Sequence, residues 1–472
     1  MNHPVNRAVL LAAFLAAYVA LSLVMALQDS SVEVSEGYFE SGGARLRYVA
    51  WRPRGRVAGT ALLYHGFGGS SEMMGWIGVE LARAGYLAVA YDARGHGKSS
   101  STLSYDPSLL VEDCRALARV FNFTGELVLV GHSMGGRAVQ DLASRLNASR
   151  VVVVAAPPAG SPSAPSLLVL AGFDEIFKLG DVAKANLSGW SVYVSPRDNH
   201  LTILYSPSAI ARILAWVKPG AETAAAPRLA LALARSLTAA ALLALAPSVL
   251  ARGGDKGLEG ASFWKLALAV AFAAPLSLPL YLALSSLLRA PVAGYVVALF
   301  YSQVVGVTAL SARRLSRVRE LAKSVGARTL AWGSVTALAA YFLVHKMLQP
   351  FFNVEPSLYR LPVAAALALL LLPAAVLTEA LAFQSGGSAA ESSAKRFAAR
   401  SVGFLAAWLV FSFSVGGGYA GYLLVVTYVS LLLLAPLELF AASLAARGAG
   451  NVNVVWQPLV LGALLGAVTP LA

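Results

Sequence analysis

The length of its uncharged apolar runs constrains this chain more than any other feature. Residues 8–27 (AVLLAAFLAAYVALSLVMAL) hold twenty positions without a charge, enough for a helix to cross about 30 Å of hydrocarbon. Further runs follow at 229–250, 263–288, 291–311, 329–348, 361–383, 401–415, 419–446 and 454–470, the first of them shortened by Arg235. Composition agrees: 57% of residues are hydrophobic and 13% charged, where a soluble globular chain carries about 25% charged. Long stretches therefore have no water-facing side, and the chain is predicted to span a membrane nine times. Pro275 and Pro279 predict a kink in the run 263–288. A cleavable signal peptide with Arg7 as its charged region competes with a retained anchor at 1–29. The run is long for a signal, and no small-x-small site precedes Gln28-Asp29-Ser30, which favours the anchor.

The net charge of +13 is unevenly placed: residues 30–220 contribute +3 and the remainder +10. Those cations lie between apolar runs and lack interleaved aromatics, so they point to membrane flanks and away from nucleic acid. One set of alternate flanks holds Arg7, Arg252, Lys256, Lys265, Arg313, Arg314, Arg317, Arg319, Lys323, Arg328, Lys395, Arg396, Arg400 and Arg447. The other holds only Lys218, Arg228, Arg235, Arg289, Lys346 and Arg360. This bias predicts a cytoplasmic N-terminus, with the segment 30–218 and the C-terminus outside. Three N-x-S/T sequons, at Asn122, Asn147 and Asn186, fall in that outer segment. A single cysteine, Cys114, excludes an intramolecular disulfide and a cysteine metal cluster. Glu379 and Glu438 fall inside apolar runs, either as functional intramembrane charges or as stabilising partners near the interface.

Residues 30–218 have a different texture. Short β-rich runs at 44–51, 60–64, 86–91, 126–130, 150–155, 166–171 and 190–195 alternate with amphipathic stretches at 71–84, 108–122, 134–146 and 206–217. Such alternation predicts an α/β domain whose sheet is mostly parallel, with helices on both faces. The later strands (LVLV, VVVVAA, LLVLAG) are apolar throughout, as strands covered on both faces are. A linker at 219–228 separates this domain from an all-α bundle of about eight helices over 229–472.

The sharpest chemical signal is Gly131-His132-Ser133-Met134-Gly135-Gly136, directly after the strand ELVLV and directly before a helix. In that context G-x-S-x-G is a nucleophile elbow. Its glycines let the chain turn sharply, which forces Ser133 into a strained conformation with its hydroxyl exposed, beside a helix N-terminus that favours negative charge. Two more motifs precede it, His65-Gly66-Phe67-Gly68-Gly69 and Asp92-Ala93-Arg94-Gly95-His96-Gly97-Lys98-Ser99.

In this order the three motifs resemble the α/β-hydrolase superfamily, and within it the monoacylglycerol-lipase and serine-aminopeptidase-like branch, over about 32–218. The resemblance implies a serine hydrolase needing a base and an orienting acid. His3 and His345 lie outside the domain, and family members use the positions of His65, His96 and His132 structurally. His200, after the last strand, is left as the base and matches the family order Ser…Asp…His. The acid is expected at Asp174, after strand 166–171 and a glycine turn, with the adjacent Glu175 as the alternative; Asp198 is too near His200 in sequence. Family geometry assigns the oxyanion hole to the backbone N–H groups of Phe67 and Met134, and the Asp92–Ser99 motif to a structural turn. Relatives often insert a helical lid after the strand matching 150–155. Here only Ala156–Pro165 intervenes, with four prolines, so no lid insertion is expected, and the bundle or the lipid surface would cover the site.

The expected activity is cleavage of a carboxylic ester, small or lipid-like, without metal or cofactor and with membrane lipid as a partner. A peptidase or acyltransferase using the same residues, and a transporter or scaffold bearing a non-catalytic hydrolase-like domain, are the alternatives.

Overall fold

The computed structural model describes residues 7–247, 262–288, 290–311, 313, 315–383, 389–414 and 417–471. His3, Arg252, Lys256, Arg289 and Arg314, named above, lie outside them. Two compact units emerge: one of Leu21–Ala234 with Phe351–Asn353 and Pro470–Ala472, the other of Met1–Ala20, Arg235–Pro350 and Val354–Thr469.

The first unit is built on eight strands: β1 (Val32–Ser41), β2 (Ala44–Pro53), β3 (Gly59–Tyr64), β4 (Tyr86–Tyr91), β5 (Glu126–His132), β6 (Arg150–Val154), β7 (Ser166–Ala171) and β8 (Trp190–Ser195). Their order in the sheet is β1-β2-β4-β3-β5-β6-β7-β8. The pairs β1–β2 and β2–β4 are antiparallel, and every pair from β4 through β3 to β8 is parallel. Side chains alternate across the sheet, so adjacent valines serve different cores. Val152 and Val154 of β6 pack with α2 (Gly75–Arg83) and α6 (Pro207–Val217) on one face. Val151 and Val153 pack with α3 (Pro107–Phe121) and α4 (Met134–Ala143) on the other; α1 (Arg7–Gln28) precedes β1 in the chain, and the short α5 (Leu179–Val182) lies between β7 and β8. That double coverage accounts for the unbroken apolar strands.

The polar edge strand β1 lies outside every strand expected from the sequence. Its three glutamates obscure the alternation, and an edge strand tolerates them because only one side is paired. The turn into β2 carried the missed signal: Gly42 and Gly43 have φ of +48° and +72°. Two consecutive positive φ values form the tight hairpin turn that two glycines favour. Between β6 and β7, residues 156–165 contain no helix, in agreement with the expected lack of a lid. At the far end of the chain, Leu471 pairs with the loop after β4, donating to Gly95 O at 3.0 Å and accepting from Leu103 N at 2.7 Å.

Among the described residues nine helices are long and apolar enough to cross a membrane: Arg7–Gln28, Ala225–Leu245, Phe263–Leu288, Pro291–Leu310, Ala327–Leu348, Leu358–Ala382, Ala389–Ser414, Gly417–Ala445 and Gly450–Val468. A tight turn over Ala274–Leu276 interrupts the third, where Pro275 was expected to bend it. The seventh begins at Ala389, well before the apolar run at 401. Arg396 and Arg400, expected in a cytoplasmic flank, are buried inside it. The Arg396 guanidinium holds Glu379 bidentately at 2.6 and 2.9 Å, and Arg400 pairs with Glu438. Each charge is neutralised by a partner on another helix, so the helix continues through residues that end an apolar run in sequence. Arg360, expected on an outer flank, is also buried; it donates to Gly466 O at 3.2 Å and to Thr469 O at the end of the last helix.

Candidate active site

The residues singled out in sequence gather where parallel strands end, around the point where the chain order reverses between β3 and β5. That switch point is where open α/β sheets bind ligands. Gly66–Gly69 follow β3, Ser133 follows β5, Asp174 follows β7 and His200 follows β8.

Ser133 has φ +54° and ψ −115°, a conformation a side chain adopts only under local compulsion. The glycines around it supply that compulsion. A Cβ at Gly131 would lie 2.1 Å from Gly135 O, and one at Gly135 would lie 2.1 Å from Tyr64 O. Ser133 N donates to Val154 O at 2.9 Å, tying the elbow to β6. Met134 opens α4, where the first backbone N–H groups have no acceptor within the helix.

His200 Nε2 lies 2.9 Å from Ser133 Oγ, and Nδ1 lies 2.9 and 3.0 Å from the two oxygens of Asp174. A carboxylate only accepts, so Nδ1 carries the proton and Nε2 is free to accept from the serine hydroxyl. Asp174 also accepts from Ile176 N at 2.9 Å and Phe177 N at 2.8 Å, which fixes its plane. Of the alternatives, Glu175 accepts from the main-chain N–H of His200 at 3.1 Å. Asp198 is engaged by the hydroxyls of Ser195 and Thr202. Neither is paired with the imidazole.

Supporting residues come from the same motifs and, in Arg47, Ser71 and Glu72, from positions outside them. His132 donates from Nε2 to His200 O at 2.8 Å, holding the main chain of that loop. Burial, then the neighbouring His200 imidazole, pushes His132 down to about 3, so it stays neutral and is a positional support. His65 accepts from Ala93 N at 2.9 Å and holds Gly66 O at 2.7 Å; burial keeps it below the ordinary histidine range. The Phe67 ring meets His96 edge-on at 5.5 Å. Beneath this loop Asp92 accepts from Ser71 N at 2.7 Å, Ser71 Oγ at 2.6 Å and Lys98 N at 2.7 Å. Burial alone would raise the Asp92 carboxyl, but the Arg47 guanidinium and His65 hold it below the usual range. Arg47 reaches from β2 to Glu72 at 2.6 Å and Asp92 at 3.5 Å, and also pairs with Glu36. Only the tertiary fold brings these four segments together.

Sheet order, elbow and strand-end loops together define an α/β-hydrolase fold. Residues 55–190 match the family model described as serine aminopeptidase, S33. A monoacylglycerol lipase of Mycolicibacterium smegmatis is 30% identical over 135 residues, 28% of this chain and 48% of that protein. A non-heme chloroperoxidase of Streptomyces lividans is 31% identical over 142 residues, 29% of this chain and 50% of that one. The chain thus spans about half the length of the curated relatives it matches. Among solved structures, a CIB-like hydrolase from Thermoplasma acidophilum is similar at 18% identity, with 40% of this chain and 99% of that one covered and a TM-score of 0.35. The family match falls on the unit that carries the three motifs and agrees with the resemblance read from them.

Proposed function

We propose that this protein is a membrane-bound serine hydrolase that cleaves carboxylic esters, lipid-like ones in particular, through an acyl-enzyme. The observation that carries this reading is the hydrogen-bonded line from Asp174 through His200 to a serine held at φ +54°. In this mechanism His200 Nε2 takes the hydroxyl proton as Ser133 Oγ attacks the ester carbonyl. Asp174 keeps the imidazole in the required tautomer and stabilises it once charged. The backbone N–H groups of Phe67 and Met134 receive the oxyanion, each worth about 3 kcal/mol. His200 then returns its proton to the leaving alcohol, and water releases the acid by the same steps reversed. The lipid-like substrate class is supported by the lidless rim, by the apolar helices and by the lipase among the relatives. The orientation supported by the remaining flanking cations, chiefly Arg313, Arg317, Arg319, Lys323 and Arg328, puts the N-terminus in the cytoplasm and the hydrolase unit outside.

A peptidase with the same residues is favoured by the description of the matching family. A fluorophosphonate probe, followed by paired ester and amide substrates, tests both readings. The probe is expected to label the wild type and not Ser133→Ala, and esters to be turned over faster than aminoacyl amides. An unlabelled wild type would end the hydrolase proposal, and faster amide cleavage would transfer it to the peptidase.

A further inference from the structure

Three residues distant in sequence from the hydrolase motifs belong to the same compact unit. Phe351, Phe352 and Asn353 follow the end of the helix Ala327–Leu348, and the two phenylalanines pack against the apolar cluster on the α2 and α6 face of the sheet. The Phe351 ring stacks on Trp76 of α2, with centroids 5.8 Å apart and planes 5° from parallel, and meets Tyr205 edge-on at 5.2 Å. Phe352 meets the same tyrosine at 6.1 Å, and Tyr205 Oη donates to Phe351 O at 3.1 Å. Asn353 Nδ2 donates to Glu72 Oε1 at 2.9 Å.

Tyr205 closes the single turn Thr202–Leu204 that begins two residues after His200, so its ring is the first aromatic fixed point beyond the base. Glu72 lies three residues after Gly69; it accepts from Ser70 Oγ at 2.7 Å and pairs with Arg47 at 2.6 Å. One end of the tripeptide therefore holds the loop of the base, and the other holds the loop of the oxyanion donor. Those loops come from opposite ends of the domain's sequence, and the described segment 156–165 contributes no helix to span them. Trp76, between them, is also covered by the Arg228 guanidinium at 4.6 Å. Arg228 pairs with Asp29 at 3.2 Å, and Asp29 pairs with Arg83 of α2 at 2.7 Å. The brace thus seats on a part of α2 already fixed by both ends of the domain's chain.

We propose that Phe351–Asn353 is a positioning brace that sets the distance between the His200 loop and the Gly66–Glu72 loop. The proposal rests on the serine-hydrolase reading for its catalytic consequence, but not for its structural one. A base and an oxyanion donor work only while held within about 0.5 Å of the productive geometry, and a misplacement near 1 Å costs about a hundredfold. The three residues touch neither substrate nor reacting atoms; they act through Tyr205 and Glu72.

The test uses the full-length protein and the variants Phe351→Ala, Phe351→Tyr and Asn353→Ala. Turnover of a short p-nitrophenyl ester is normalised to the sites titrated by a fluorophosphonate, so loss of folded protein does not register. Amide hydrogen exchange is followed in parallel. Expected results are kcat per titrated site lower by about tenfold in both alanine variants, KM within about twofold, and recovery in Phe351→Tyr, which restores the ring. Exchange should quicken by about tenfold at 67–72 and 200–205 and stay unchanged at 127–130 in β5. Unchanged exchange in those two loops overturns the brace whether or not the protein hydrolyses anything, as does unchanged kcat per site in an active enzyme. Quickened loop exchange in a protein that never hydrolyses esters or reacts with the probe supports the brace and overturns the hydrolase reading instead.

Discussion

Asp174 and Glu175 are adjacent acids with different partners, and the difference is measurable. Asp174 faces the ring of His200, whereas Glu175 receives only the main-chain N–H of that residue. Asp174→Asn removes the charge that holds the tautomer and is expected to lower kcat by about 10⁴-fold. Glu175→Gln keeps an acceptor and should cost no more than about tenfold. Steady-state kinetics on one ester decide between them, and equal losses would assign the two acids a shared role. His132 supplies a pH prediction. Its folded value of about 3 lies below the ordinary 6.5. Between those values the unfolded chain binds a proton that the folded chain refuses. Stability from this group is therefore complete above about 6.5 and falls by about 1.4 kcal/mol per pH unit as the pH drops towards 3. His132→Gln should melt lower at pH 7 and yet lose less of its melting temperature between pH 7 and pH 5 than the wild type. An identical slope would mean that the buried imidazole is not the acid-sensitive group.

Among the elements, the elbow and the helix Ala389–Ser414 show two ways in which sequence and packing interact. At the elbow everything needed is local: a strand, a turn with no room for a Cβ, and a helix. In the helix the deciding groups are distant. Glu379 is held by Arg396, by Gln457 at 2.9 Å and by Asn453 at 3.4 Å, and Asn453 in turn accepts from Trp456 Nε1 at 2.9 Å. Removing one member of a buried pair strands a charge, so Glu379→Leu should destabilise the helical unit by about 3–5 kcal/mol. The double variant Glu379→Leu with Arg396→Leu should recover most of that loss. Thermal unfolding in detergent reads the difference, and a double variant as unstable as the single one would give the pair a role beyond mutual neutralisation.

For the molecule as a whole the proposal with the widest consequences is orientation. Reporters inserted after Gly220 and within 315–328 are expected to report outside and inside respectively. The reverse pattern would put the hydrolase unit in the cytoplasm and its substrates on the inner leaflet. The buried Arg360, Arg396 and Arg400 do not bear on this experiment, because paired or capping cations within the helical unit are not loop charges.

The sequence by itself determined whatever short-range chemistry encodes. Apolar runs near twenty residues mark helices able to cross a membrane, because hydrocarbon cannot satisfy a bare backbone. Unbroken apolar strands indicate a sheet covered on both faces, and a serine between glycines after a strand marks the elbow. Through the resemblance that its motifs carry, it also narrowed the expected acid to Asp174 or Glu175 and the expected base to His200. Only the tertiary structure decided which acid faces the imidazole, a matter of side-chain direction between neighbours. It alone extended the helix back to Ala389, because the cost of a buried charge depends on a partner 17 or 38 residues away. It also brought Arg47, Glu72 and Asn353 together, residues whose spacing along the chain carries no period that a local pattern could reveal.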